Sequence, residues 1–272
     1  MAGPDIRRLR HNVRIYLKLI VVQLRTVVEY RADFWIGIVG AALLHGAGLV
    51  FISAFFSRIS AIEGWTVWEV ALLYGQTMLA YGLRELLCDG PWTLRMQINR
   101  GDFDRVLVRP LSPALQTGAS LASVHGVGNV TLGLTVFLVA AGRIDLEWTI
   151  GKVLWVLLTV TCGLVLISTI GFLANLISFW EPGVQGSFPF MVSNLVEFAK
   201  FPLELYGWGL RFLLTFVLPY GFVSYYPSLI LLDKETGFRW IGYLVPLAPV
   251  VLGLVTAWLW GKGLARYQGT GH

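Results

Sequence analysis

Hydrophobic and polar positions fall along this chain in long blocks, and the first block mixes the two. In residues 6–31, IRRLRHNVRIYLKLIVVQLRTVVEYR, a helical wheel puts Arg7, Arg14, Lys18 and Arg25 on one narrow stripe. Leu9, Val13, Tyr16, Ile20, Leu24 and Val27 cluster opposite. A basic face beside an apolar one predicts a helix lying in the membrane interface. The next block, FWIGIVGAALLHGAGLVFISAFF at about 34–56, carries no charge and is long enough to cross a hydrocarbon layer as a helix. Phe34 and Trp35 are its interfacial anchors. Further blocks predict spans at about 67–87, 114–141, 149–180, 207–226 and 240–260. The expected fold is an all-α polytopic membrane protein with six transmembrane helices. An interfacial helix occupies 1–33 and a single transmembrane domain 34–262, interrupted by a polar loop at 88–112 and followed by a tail at 263–272.

Residues 188–232 need a break. A continuous helix from 188 to 222 would be about 52 Å long, too long for one crossing. Gly207, Gly209, Pro202 and Pro219 supply places to interrupt it. We read 188–205 as a helix at or entering from the surface, and 207–226 as the fifth span. Residues 227–232 are too short to cross and read as a re-entrant piece between spans five and six, tolerated only against protein. Gly118, Ala122 and Gly126 on the third span, and Gly37 with Ala41 on the first, have the spacing that lets helix backbones approach closely.

Composition agrees with a membrane protein. Only 14% of the 272 residues are charged, against roughly a quarter in soluble domains, and mean hydropathy is +0.68. The net charge of +5 matters by location. With the N-terminus inside, the inner side collects Arg7, Arg8, Arg10, Arg14, Lys18, Arg25, Arg31, Arg95, Arg100, Arg105, Arg109, Lys262 and Arg266. The outer side holds Arg58, Arg143, Lys152, Lys234 and Arg239. This bias predicts cytoplasmic termini and makes the basic excess a topology signal, not a nucleic-acid surface. Cys88 and Cys162 offer neither a disulfide framework nor a metal-ligand spacing. The N-terminus lacks the pattern of a cleavable signal peptide, so the first span is expected to direct its own insertion.

No GxxxxGK[ST], HExxH, CxxC or GxSxG occurs, so no catalytic residue, metal ligand or nucleotide cofactor is expected in this chain. His45 and His125 lie within spans and are placed to meet across the bundle, as an interhelical hydrogen bond or as part of a polar path. Glu197, Lys200, Glu204 and Arg211 fall within one narrow arc of a helix. That stripe is either the wet face of an interfacial helix or the polar wall of a translocation path or subunit interface, with Lys200 able to pair with Glu197 and Glu204. Glu69, Arg84 and Glu85, near the ends of the second span, are expected to snorkel to the headgroups.

One run stands out in this apolar chain: NRGDFDRVLVRPLSP, residues 99–113, with two aspartates, three arginines and two prolines. Together with the following ALQ it resembles the G-x-(hydrophobic)-D-R-x-L-x-R-P-L-x-P segment of bacterial ABC-exporter permeases of the type-2 class. The similarity is greatest to a subgroup of like length encoded beside an ATPase and a second permease. YRADFWIG, PYGFVSYYPSLILL and GLARYQGTG extend it over essentially the whole chain.

The resemblance implies a six-span permease subunit of an ATP-driven exporter in the bacterial plasma membrane, with a cytoplasmic coupling helix between spans two and three. Two ABC ATPase subunits would bind ATP and Mg, and a second permease, identical or related, would complete the path. The residues suit a coupling element. Gly101 permits a turn, Asp102 is placed to cap the next helix, and Pro110 and Pro113 restrict the exit. Asn99, Arg100, Asp104, Arg105 and Arg109 offer polar contacts, and Phe103 and Leu107 a small apolar face. The alternatives are an intramembrane lipid-modifying enzyme, which needs a convergent acid–base or metal cluster, and an ion-gradient-driven carrier, which needs interrupted spans in two matched halves.

Overall fold

The computed structural model describes residues 4–29, 31–181, 186–236 and 238–268. Helices α1 (Pro4–Glu29) and α2 (Arg31–Phe56) lead to a hairpin of strands β1 (Ala61–Ile62) and β2 (Trp65–Thr66). Glu63 and Gly64 both have positive φ, 48° and 77°, the geometry of the tight turn that suits the twist of a two-residue hairpin. Helix α3 (Val67–Leu87) starts directly after it. The Thr66 hydroxyl accepts from the Glu69 backbone N–H and the Glu69 carboxylate accepts from the Thr66 N–H, a reciprocal capping box.

Short helices α4 (Leu94–Asn99), α5 (Phe103–Leu107) and α6 (Pro113–Gly118) follow, then α7 (His125–Ala141) and α8 (Ile150–Asn175), which tightens into a 3-10 turn to Phe179. Helix α9 (Ser187–Asn194) passes into a 3-10 segment over 195–200. Helix α10 (Trp208–Phe212) runs into a π-turn over 213–217, and α11 (Tyr225–Leu231) precedes the last helix, α12 (Leu247–Arg266).

Helix α3 is the centre of the molecule and α7 its closest neighbour. A Cβ at Gly82 would lie 2.6 Å from the Val130 nitrogen, and one at Gly75 would lie 2.6 Å from the Phe137 nitrogen. Gly126 and Gly133 answer from α7, where a Cβ would meet Gly82 O at 2.8 Å and Leu79 N at 2.6 Å. The two backbones are therefore in direct contact, which only glycine allows. Ala41 on α2 meets Gly128 on α7 in the same way, the close approach expected of the first span.

Among the described residues, three helices are long and apolar enough to cross a membrane: Trp35–Phe56, Ile150–Phe179 and Leu247–Arg266. The structure differs from the expected spans in three places. Over 114–141 the chain is not one helix: α6 ends at Gly118 and α7 begins at His125, so Gly118, Ala122 and Gly126 do not share a helical face. The continuous helix expected over 207–226 is absent; Trp208–Val217 and Tyr220–Leu231 meet at a 74° bend beside Pro219. The last helix starts at Leu247 instead of about 240. Residues 187–200 are buried by one side only, with Phe190 and Met191 exposed on the other. They run along α3, where the Thr77 hydroxyl donates to Ala199 O (3.2 Å) and the Tyr220 hydroxyl donates to Val192 O (3.1 Å).

Helix α1 packs by one side. The Tyr16 hydroxyl donates to Leu87 O (2.6 Å), Gln23 donates to Ser120 O (3.2 Å), and Ile20 is buried. Val13, Leu17 and Val21 are exposed, next to exposed Arg14, Lys18 and Arg25. Apolar residues expected on one face thus divide between protein and surroundings. The side chain of Arg7 lies outside the described residues.

Candidate functional site

Two polar regions at the ends of α3, and a cavity between them, gather the side chains able to act. At the hairpin end, Lys234 ties the loop after α11 to the start of α3. Its Nζ lies 2.9 Å from Glu69, donates to Gly64 O (2.8 Å) and sits 4.6 Å above the Trp65 ring. Asp233 beside it bridges Lys152 (3.1 Å) and Arg239 (2.7 Å).

At the opposite end, the loop 88–112 is organised around Phe103. This residue is fully buried, in a cluster with Leu94, Ile98, Leu176, Phe179 and Trp260. Its ring stands edge-on to those of Phe179 (5.5 Å) and Tyr267 (5.1 Å). The Tyr267 hydroxyl donates to Asp104 (3.0 Å), so the end of α12 holds α5 on both sides of Phe103. Phe103 is thus an anchor rather than part of an exposed apolar face. Gly101 makes the expected turn, at φ 73°. Asp102 makes no side-chain cap; it lies 3.7 Å from Arg105 instead. Gln116 donates to Val106 O and Leu111 O, closing the exit loop behind α5. What remains outward is Asn99, Arg100, Asp104, Arg105, Leu107, Val108, Arg109 and Pro110, with Arg105 and Val108 more than four-fifths exposed.

Arg84 and Glu85 do not snorkel. Arg84 is 4% exposed and lies 2.9 Å from Asp89, beneath which the loop begins. Arg84 Nε has no hydrogen-bond partner among the described residues, and the contact with Asp89 is held as an ion pair. Burial pushes the Asp89 carboxyl above its usual range, and Arg84 only partly offsets that. Glu85 is also buried and accepts from Asn129 Nδ2 on α7 (2.7 Å).

Between the two ends lies a cavity of about 400 Å³, bounded by α2, α3, α7 and the 194–200 segment. It brings together four of the residues expected to line a path: His45, His125, Glu197 and Lys200. His45 Nδ1 lies 3.2 Å from the Tyr74 hydroxyl and not against His125. Lys200 is 4% exposed, donates to both Glu197 oxygens (2.7 and 2.6 Å) and lies 4.9 Å from the Tyr74 ring centre. Glu204 and Arg211 stand apart, because the 3-10 segment ends at Lys200 and the chain is extended at Phe201 and Pro202. Glu204 accepts from the Tyr225 hydroxyl, and Arg211 donates to Leu203 O. The expected four-residue stripe and the Lys200–Glu204 pair are therefore not formed.

Thr77, Tyr81, Glu85, Asn129 and Asn194 complete the polar lining and were not singled out as path residues from the sequence. Asn129 carried a usable signal, as an amide inside an otherwise apolar, glycine-rich helix. Among the described residues no group of three or more His, Cys, Asp or Glu has the geometry to hold a metal.

A family model described as ABC-2 family transporter protein matches residues 42–271. No curated protein and no solved structure matches the chain. With that match covering most of its length and a helical fold rich in apolar, membrane-length segments, the chain belongs to the ABC-2 family of transporter proteins, as a membrane permease component.

Proposed function

We propose that this chain is the transmembrane permease subunit of an ATP-driven exporter, that it forms half of a translocation path, and that it couples through residues 88–112 to a separate ATPase. The observation that carries this reading is the construction of that loop. Phe103 fixes α5 to the ends of α8 and α12, while Arg105, Val108, Arg109 and Pro110 project outward. A rigid base under an exposed polar rim is what a docking element needs to pass on a push from a soluble partner. Two ATPase copies supply ATP and Mg chemistry, and a second permease, identical or related, supplies the other half.

The topology that fits this role has six crossings: α2, α3, α7, α8, the leg from Ser187 toward residue 206, and α12. The bent pair Trp208–Val217 and Tyr220–Leu231 is then re-entrant on the hairpin side. Two contacts support it: Lys200 of that leg sits over Tyr74, about a third of the way along α3, and Tyr225 of the bent pair packs 5.8 Å from Trp65 at the hairpin. The loop 88–112 and both termini face the cytoplasm of a bacterium in this arrangement. It satisfies the Lys and Arg bias. Helix α1 lies in the inner interface, its Val13–Leu17–Val21 face in lipid and Arg14, Lys18 and Arg25 at the headgroups.

The test is copurification. A tagged permease expressed with the ATPase encoded beside it should retain that ATPase, and cysteine pairs between residues 95–110 and the ATPase should crosslink. Arg105→Glu with Arg109→Glu should leave membrane insertion intact but abolish retention or substrate-stimulated hydrolysis, since like charges across an interface cost several kcal/mol. Normal retention and hydrolysis in the double variant, with no crosslink along the loop, would falsify the coupling role.

A further inference from the structure

Two membrane-length helices, α8 and α12, pack together and end on the face assigned to the cytoplasm. Helix α12 has 20 residues, about 30 Å, which matches the thickness of a hydrocarbon layer. Lys262 stands about 6 Å before its end, and Arg266 is its last residue. The apolar run Ile150–Phe179 stops just before Trp180, which is exposed. Where the two helices end lies a surface pocket of about 780 Å³, walled by Phe179, Trp180, Lys262, Arg266 and Gln268.

The charges in this pocket have one sign. Lys262 and Arg266 pair with no carboxylate among the described residues. Lys262 instead lies 3.8 Å above the ring of Trp258, itself exposed one turn deeper along α12. A tryptophan with a snorkelling lysine above it marks the depth of lipid headgroups. The carboxylates of the adjoining loop are engaged elsewhere: Asp104 accepts from the Tyr267 hydroxyl, and Asp102 lies 3.7 Å from Arg105. Glu181 is exposed but is not part of the pocket wall.

We propose that this pocket holds the headgroup of an anionic phospholipid, its phosphate against Lys262 and Arg266 and its glycerol and first methylenes on Trp180 and Phe179. Basic pockets between spans on the cytoplasmic side suit such headgroups. A free phosphate would satisfy the two cations and leave the aromatic wall uncovered. Assignment to the inner leaflet rests on the topology proposed above; the pairing of phosphate with the two cations does not. Ile98 and Tyr267 share the wall, so the lipid lies directly behind the Phe103 anchor of the loop 88–112.

The experiment titrates the full chain, in neutral detergent and without an ATPase, with dioctanoyl phosphatidylglycerol, dioctanoyl phosphatidylcholine or inorganic phosphate. Hydrogen exchange over residues 262–268 is the readout, which separates this pocket from the basic stripe of α1. Phosphatidylglycerol should reach half-maximal protection at about tenfold lower concentration than phosphatidylcholine, as two cations near one anionic headgroup supply. Lys262→Gln with Arg266→Gln should remove that advantage while leaving the exchange of α1 as in the parent. The comparison of lipids on the parent chain needs no variant, so it decides the matter even where the double variant fails to fold. Equal protection by the two lipids, or an advantage that survives in the double variant, overturns the proposal. Protection by inorganic phosphate equal to that by phosphatidylglycerol makes the site one for a free anion and overturns the lipid assignment. Protection that no lipid gives but an added ATPase does would assign the two cations to that partner instead. Lipid preference in a chain that never retains an ATPase keeps the site and removes only the permease reading.

Discussion

Tyr267 and Asp104 are 163 positions apart and joined by a hydrogen bond of 3.0 Å, which fastens the last helix to the loop proposed to meet the ATPase. Tyr267→Phe keeps the ring against Phe103 and removes only that bond. We expect a loss of about 1 kcal/mol in stability, the usual net worth of such a bond, with a larger effect on substrate-stimulated ATP hydrolysis than on folding. Phe103→Ala empties the cluster and should cost about 3–5 kcal/mol. Unfolding midpoints of the two variants in detergent, set beside coupled ATPase rates, check both expectations.

A second prediction concerns the buried Arg84–Asp89 pair. Arg84→Ala leaves a carboxylate buried without its cation and should destabilise by about 3–5 kcal/mol. Arg84→Met combined with Asp89→Leu removes both charges and should recover most of that loss. A double variant no better than the single one would show that the pair does more than neutralise itself.

The seam between α3 and α7 gives a steric test. Gly82→Ala brings a methyl to 2.6 Å from the Val130 nitrogen, so the helices must part, at roughly 1–3 kcal/mol. Gly40→Ala has nothing within 4 Å and should stay within about 0.5 kcal/mol of the parent. Thermal unfolding in detergent should rank the two variants in that order.

Asp233 gives a pH test. Lys152 first, through its hydrogen bond and charge, and Arg239 after it hold the Asp233 carboxyl below its ordinary 3.8. A carboxyl lowered by folding stabilises the folded form above its unfolded value, and that contribution is lost as pH falls through the folded one. Hydrogen exchange in residues 233–236 should therefore be unchanged between pH 7 and 5 after correction for intrinsic rates, with protection falling only below about 4. Asp233→Asn should show low protection throughout. A loss of protection already complete at pH 5 in the parent would count against this account.

Much of the fold was legible because a bilayer makes coarse demands. Runs of membrane length with little or no charge became α2, α8 and α12, and Gly101 turns where its neighbours needed it. Periodicity does not say what an apolar side chain faces. Phe103 looked like part of a docking patch and is buried against Phe179 and Trp260; Tyr16 and Ile20 shared a stripe with Val13, yet they turn inward while Val13 is exposed. Charges near a helix end looked like snorkelling groups, but Arg84 and Glu85 found partners in Asp89 and Asn129, on other segments. From 187 to 231 a single 3.6-residue period was the wrong ruler, because 3-10, extended and π-turn backbone succeed one another there. That is why Glu204 and Arg211 separated from Glu197 and Lys200. The cavity was half visible: its histidines and its lysine could be named in advance, while Asn129 needed the neighbouring helix to give it meaning.

The glycine seam also constrains how motion travels. Two helices whose backbones touch at Gly75, Gly82, Gly126 and Gly133 cannot slide past one another without collision. They turn together, as one lever. Its short arm ends at Asp89 and the loop 88–112; its far arm ends at the β1–β2 hairpin, where Lys234 grips Glu69. A displacement delivered to the loop therefore arrives at the far face as a tilt of the hairpin and of whatever Lys234 holds to it, with Glu85 and Asn129 carried along at unchanged spacing.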